Sequence, residues 1–311
     1  MLPAIQNKIS LAPIDIIATW LRGRGPCTLR AYQADVENFA GFVGCPDANS
    51  AAQHLISNGP GHANRLVLAY RATMLEHKLA PNTINRRLST LRSLAKMARI
   101  VGLITWGLEV ENVRSQPYRD TRGPEESGFK RIKRQTEKRR DTKGLRDQAI
   151  ILLLHDIALR RGEVVQLDLS DYDPVNRTLA LLRKGNREQT RLSLPDRTNT
   201  AIIEWLDVRG WEQGPLFISL HRNRVDSITR MSGTAIWKLT QKLGDCVGIQ
   251  DLHPHSLRHT AITTAIERAQ SAGLGLEKVL PFSGHAKLAT LQIYADQHQN
   301  YQGQIADLVA R

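Results

Sequence analysis

The sequence predicts a mainly α-helical protein with one small antiparallel β-sheet, divided between two domains. Three observations carry that expectation. At ~150 residues per domain, a chain of 311 residues has room for two domains. Apolar residues recur with helical period in both halves of the chain. A single stretch, TLALLRKGNREQTRLSLP at 178–195, is β-capable on both sides of a Gly-Asn turn, which is the pattern of a hairpin.

Along the chain, TLRAYQADVENFAGFV sets Leu29, Tyr32, Val36, Phe39 and Val43 on one helical face, with Thr28 as the expected cap. LVLAYRATMLEHK supplies another helix. In APNTINRRLSTLRSLAKMARIVGLI an apolar stripe of Ile84, Leu88, Leu91, Ala95 and Ala98 runs beside a polar one of Asn85, Ser89, Arg92, Lys96 and Arg99. The polar stripe holds basic and amide groups and no acid, whereas a merely solvated face mixes both signs. It therefore suits either solvent or a DNA backbone, and Asn85, Arg86, Arg92, Lys96 and Arg99 are the candidate DNA contacts. These helices make up a helical N-terminal domain over 1–112.

Residues 113–143 read as a basic linker. Positions 114–146 hold twelve Lys and Arg against five acids, few large apolar side chains, and Pro117, Gly123, Pro124 and Gly128. Such a tether could also touch phosphate. The second domain, 144–311, opens on a mostly apolar helix in GLRDQAIILLLHD, turns at Arg161-Gly162 and resumes as a short helix. DPVNR is a turn, the hairpin follows, and helical patterns return at 198–205, 235–247, 254–267 and 276–282.

Forty-three Lys and Arg against thirty Asp and Glu leave a formal charge of +13 and a pI near 10.0, which points to a polyanionic partner. No apolar run approaches the ~20 residues of a membrane span, and the first residues lack the pattern of a secretory signal. The expected location is the cytoplasm. Cys27, Cys45 and Cys246 are odd in number and widely spaced, which fits reduced thiols rather than a disulfide framework or a zinc module.

HPHSLRHT, at 253–260, crowds three histidines and an arginine together. His255 and His259, four apart on a helix, have the spacing of a metal pair. Arg258 opposes this, because its permanent cation lies one turn from His255 and would repel a divalent ion. An anion fits better. Pro254 suits the first helical position, and the free amides of that helix start would face the same anion as His255 and Arg258. His259 reads as packing, and His253 as a loop residue.

Three further stretches join this one in a resemblance to the tyrosine recombinases, the phage-integrase, Xer and Cre type of site-specific recombinase. IALRRGEVVQLDLSDYD resembles the first box of that family, with Leu159, Arg160 and Glu163. RKGNRE resembles the hairpin that carries its lysine, here Lys184. HPHSLRHT matches the His-x-x-Arg box, and SGHAKLATLQIYAD matches the closing segment with His285 and Tyr294. The four occur in family order between 144 and 296, and NTINRRLSTLRSL resembles part of the core-binding domain. One departure stands out: Ile157-Ala158 replaces the Thr-Gly that usually precedes the Leu-Arg.

The resemblance implies a SAM-like core-binding domain and a mixed α+β catalytic domain that close on DNA as a C-shaped clamp. It implies a site-specific recombinase that cuts and rejoins strands through a 3′-phosphotyrosyl link without metal, ATP or cofactor. Tyr294 would be the nucleophile, with Arg160, Lys184, His255, Arg258 and His285 as the other catalytic residues, and Glu163 would position its neighbours. The implied partner is duplex DNA with specific recombination sites, bound by a homotetramer and placing the enzyme on the prokaryotic nucleoid. Ile305, Leu308 and Val309 in the tail would pack in cis or dock in trans. A catalytically silent DNA binder of the same fold and a type IB topoisomerase are the alternatives.

Overall fold

Five helices build the first unit in the computed structural model: α1 (Ile16–Leu21), α2 (Pro26–Val43), α3 (Ala48–Ser57), α4 (Gly59–Glu76) and α5 (Pro81–Ile100). The structure describes residues 15–114, 123–182, 189–220, 228–285, 287–296, 306 and 308–310. The stripe expected on α5 is the spine of this unit, for Ile84, Leu88, Leu91, Ala95 and Ala98 are all buried. They meet Val36 and Phe39 of α2, Leu55 of α3, and Val67 and Tyr70 of α4. α2 starts two residues before the expected Thr28 cap. Pro26 occupies its first turn and Gly25 its N-cap, because the fixed φ of proline suits that position and its missing N–H costs nothing there. α1 is too short to show a period, yet its Trp20 is buried and donates to Ser93 Oγ at 3.0 Å.

The chain divides into Met1–Pro117 and Tyr118–Arg311. The linker reading of 113–143 therefore meets a structural difference, because α6 (Glu125–Glu137) lies inside that stretch and belongs to the second unit. Phe129 and Ile132 of α6 are buried in the core of that unit, so two apolar residues on one face suffice to fold a segment that is otherwise basic. α7 (Thr142–Asp156) runs through the middle of this core, with every residue from 144 to 154 buried. Its apolar run Ala149–Leu154 has to be enclosed, the buried Arg146 and Asp147 bond each other at 2.7 Å, and α6, α9 (Asp196–Arg209) and α11 (Pro254–Ser271) pack against it. α10 (Gly233–Val247), α12 (Leu280–Ser283) and α13 (Leu288–Asp296) are further helices of this unit.

The sheet has the order β1 (Tyr172–Asp173), β2 (Thr178–Leu181), β3 (Thr190–Ser193), all antiparallel. β2 and β3 are the arms of the expected hairpin, paired Leu179 to Leu192 and Leu181 to Thr190. The Gly-Asn turn and Lys184 lie outside the described residues. The turn expected at Arg161-Gly162 falls earlier, at 157–160, and α8 (Arg161–Gln166) has already begun at Arg161. The cause is Glu163, whose Oε2 accepts the Arg160 N–H at 2.7 Å and fixes the helix start there. No helix among the described residues is long and apolar enough to cross a membrane.

Candidate active site

Four pieces of the second unit meet around two arginines: the 157–160 turn, the start of α11, the turn after α12, and α13. Arg160 is the N-cap of α8. Its Nη1 donates to Glu163 Oε1 at 2.8 Å, and its Nη2 reaches 124 residues along the chain to the Gly284 carbonyl at 3.1 Å. Arg258, on the second turn of α11, is only 1% exposed. Its Nη1 donates to the Ala158 carbonyl and its Nη2 to the Ser283 carbonyl. Bonds to neutral carbonyls orient a guanidinium fork and leave its charge in place. Both arginines therefore hang on the Ser283-Gly284 turn, where Gly284 closes α12 at φ +59°, a conformation glycine adopts freely.

The start of α11 follows the expected pattern and adds one feature. Pro254 sits in the first turn as anticipated. His253 is no loop residue of indifferent role but the N-cap: its Nδ1 accepts the Ser256 N–H at 3.0 Å, and its own N–H donates to Ser256 Oγ at 2.9 Å. A histidine that accepts at Nδ1 is neutral, and desolvation lowers its pKa accordingly. The signal was in the sequence, since His-Pro-His-Ser has the spacing of a capping box with histidine in place of serine. His255 is exposed, with its ring 6.4 Å from that of His253. Desolvation by its neighbours lowers its pKa below the ordinary 6.5, and the charges of Arg258, His253 and Arg160 push the same way.

Tyr294 is 4% exposed, in a small apolar cluster with Ala158, Ile262, Ile266 and Leu291. His259 and His285 flank its ring at centroid distances of 4.7 Å and 5.6 Å. The cluster thus collects Arg160, Arg258, His285 and Tyr294, with His255 at its open side near the two arginines.

Residues 126–301, more than half of the chain, match the phage integrase family. A tyrosine recombinase of Synechocystis sp. is 36% identical over 98% of this chain and 97% of its own length. The chain belongs to the phage integrase family. It is a tyrosine recombinase, a site-specific enzyme of DNA breaking and rejoining. XerC of Herpetosiphon aurantiacus is 28% identical over 88% of this chain and 85% of its own. The fold is shared with XerH site-specific recombinase bound to a palindromic difH substrate, at TM-score 0.66, 15% identity, and coverage of 92% of this chain and 81% of that one. It is shared also with a lambda integrase dimer bound to a COC′ core site, at TM-score 0.65, 14% identity and coverage of 91% and 96%.

In this tyrosine recombinase the usual Thr-Gly of the first box is Ile157-Ala158, and Ala158 holds the conformation a glycine would, at φ +51°. Its fully buried methyl packs in the Tyr294 cluster while its carbonyl holds Arg258. The backbone carbonyls at 158, 283 and 284 escape a reading of side chains, although the Ser-Gly-His letters mark the second pair. On the first unit, the candidate DNA contacts divide. Lys96 and Arg99 are exposed. Arg86 donates to the buried Asp35 at 2.6 Å, while Asn85 and Arg92 bond to the chain that follows α5.

Proposed function

We propose that this recombinase cleaves duplex DNA at specific sites by attack of Tyr294 on a phosphodiester. A free phenol with pKa ~10 is ionised to only about 0.1% at neutral pH, so it needs a base. His255 takes that proton, and its lowered pKa keeps the imidazole neutral for the task. The Tyr294 oxygen bonds to phosphorus, the P–O5′ bond breaks, and a 3′-phosphotyrosyl link results. Arg160 and Arg258 meet the charge that builds on the phosphate oxygens, with His285 as a further donor. Lys184 protonates the departing 5′-oxygen. No metal, cofactor or ATP enters, because the phosphotyrosyl bond conserves the energy that a second 5′-hydroxyl uses to reseal the strand. The phenol is buried before attack, so α13 is the element that must move.

The observation that carries this reading is the anchoring of Arg160 and Arg258 on one turn beside Tyr294. On the first unit Lys96 and Arg99, with the half-exposed Arg86, face phosphate, in keeping with the net charge of +13. We further infer a homotetramer on two synapsed sites in the prokaryotic cytoplasm, assembled on the nucleoid. Leu308 and Val309, both exposed, offer an apolar edge for a neighbouring subunit. The DNA complexes of XerH and lambda integrase support the choice of partner. A nicked suicide substrate tests the chemistry. Wild type should trap a covalent complex and Tyr294→Phe none; a complex that survives Tyr294→Phe, or none with wild type, overturns the assignment and leaves the silent DNA binder. Relaxation of supercoiled plasmid by a monomer without a specific site would favour the topoisomerase instead.

A further inference from the structure

After α5 the chain turns back and runs outside any helix or strand over 107–114. Its side chains alternate as in a strand, with Leu108 and Val110 buried and Glu109 and Glu111 exposed. It has no strand partner among the described residues. Its backbone polar groups are met by side chains instead. Asn85 makes a two-centre amide pair with Val113, accepting its N–H at 2.9 Å and donating to its carbonyl at 3.0 Å. Arg92 spans the Val110 carbonyl and Asn112 Oδ1, both at 2.6 Å. From α4, Asn64 accepts the Glu109 N–H at 2.9 Å and Arg71 donates to the Glu111 carbonyl at 3.0 Å.

The geometry is matched. On each helix the two clasping residues are seven apart, a rise of ~10.5 Å at ~1.5 Å per residue. On α5 this equals the ~10 Å of extended chain from Val110 to Val113, whereas on α4 the Glu109 to Glu111 span is shorter, ~7 Å, and the long Arg71 side chain makes up the difference. Higher strap residues meet lower positions on α5 and higher positions on α4, as a segment laid along two antiparallel helices must.

We propose that 109–113 is a fixed strap of the first unit, and that Asn85 and Arg92 are positioning residues that set where the chain is released toward the second unit, rather than contacts to DNA phosphate. The fork of Arg92 is taken up by the strap itself, and the amide pair of Asn85 leaves it one free N–H and little reach. The consequence for strand cleavage rests on the function proposed above; the strap itself does not.

The conservative variant Arg92→Lys separates the two roles in the full-length protein. It keeps the charge that a phosphate contact needs and loses the fork that the strap needs. Hydrogen exchange without DNA should then show the Glu109 and Val113 amides exchanging at least tenfold faster than in wild type, with the melting temperature little changed. On the suicide substrate, the saturating rate of covalent-complex formation should fall severalfold while the DNA concentration at half saturation moves less than twofold. Val113→Pro, which removes the N–H accepted by Asn85 and leaves α5 untouched, should likewise speed exchange of the Glu109 amide and lower the saturating rate. Arg92→Gln should leave the slope of log affinity against log salt unchanged. A slope smaller by about 0.9, as expected when one fewer phosphate is neutralised, or wild-type exchange in Arg92→Lys, would overturn the proposal. Faster exchange in a protein that traps no covalent complex at all would leave the strap standing and defeat the recombinase reading alone.

Discussion

Ala158 is where the sequence departs from the family and the structure shows the strain of doing so. At φ +51° a residue with a Cβ costs roughly 1–2 kcal/mol relative to glycine. Replacement by glycine recovers that, loses about 0.8 kcal/mol for the buried methyl, and loses a further ~0.4–1 kcal/mol to the freer unfolded chain. The terms nearly cancel, so Ala158→Gly should change stability by less than about 1 kcal/mol. Ala158→Val is different. A β-branched side chain is a true outlier in the left-handed region, and two more methyls in a filled cluster cost ~1–3 kcal/mol of overpacking. Overpacking alone should lower the melting temperature by about 2–12 °C for a unit of this size, and the backbone cost adds to it.

The same substitution reaches the chemistry, because the Ala158 carbonyl holds Arg258. A backbone shift on the order of 1 Å there should slow covalent-complex formation by ~10²-fold, while Ala158→Gly keeps the wild-type rate within about threefold. Thermal melts and suicide-substrate kinetics on the two variants check both halves. A valine variant that melts and cleaves like wild type would refute the left-handed assignment. A glycine variant destabilised by more than about 2 kcal/mol would show that packing of the methyl, and not backbone strain, governs the site.

Asp156 is a second test. Burial alone would raise its pKa, but hydrogen bonds from His155, Arg197 and Thr198 outweigh burial and hold it at about 2. A depressed carboxylate stabilises the fold above its ordinary pKa of 3.8 and ceases to as pH falls toward 2, so about 2 kcal/mol should vanish across that window in acid melts, and Asp156→Asn should flatten the loss. His255, with its pKa below 6.5, predicts an acid limb of cleavage below that pH; a limb above 6.5 would exclude it as the base. Glu163→Gln removes the charge facing Arg160 Nη1 and leaves one acceptor for two donors. It should reduce cleavage at saturating DNA by about tenfold or more, equal to ~1.4 kcal/mol, with DNA affinity little changed.

What was legible in the sequence was whatever a periodic or contiguous pattern encodes. The α5 stripe announced itself because five small or branched apolar residues repeat over four turns, and α7 because of its apolar run at Ile150–Leu154, while the burial of Arg146, Asp147 and Gln148 had no such signal. The boxes proposed to carry the chemistry were recognisable for the same reason, as each is a short contiguous run of the sequence. α6 was not, because thirteen residues carry only Phe129 and Ile132 as large apolar anchors, and its composition is that of a tether. Nor was the second use of Asn85 and Arg92. Their stripe is truly basic and amide, but the group that answers it is the backbone of the same chain, and a backbone has no letter.

That limit bears on how the site works. Arg258 is held by two carbonyls and Arg160 by a third together with Glu163, and two of those three carbonyls lie on the Ser283-Gly284 turn. The same turn leads through His285 into α13, which carries Tyr294 only ten residues beyond Gly284. The third carbonyl belongs to Ala158, whose methyl touches the cluster that buries Tyr294. Movement of α13 that frees the phenol therefore pulls on the turn that aims both arginines. On the proposed mechanism, release of the phenol and aiming of the two arginines are coupled, and a substitution at Gly284 should disturb that coupling more than one at Tyr294 itself.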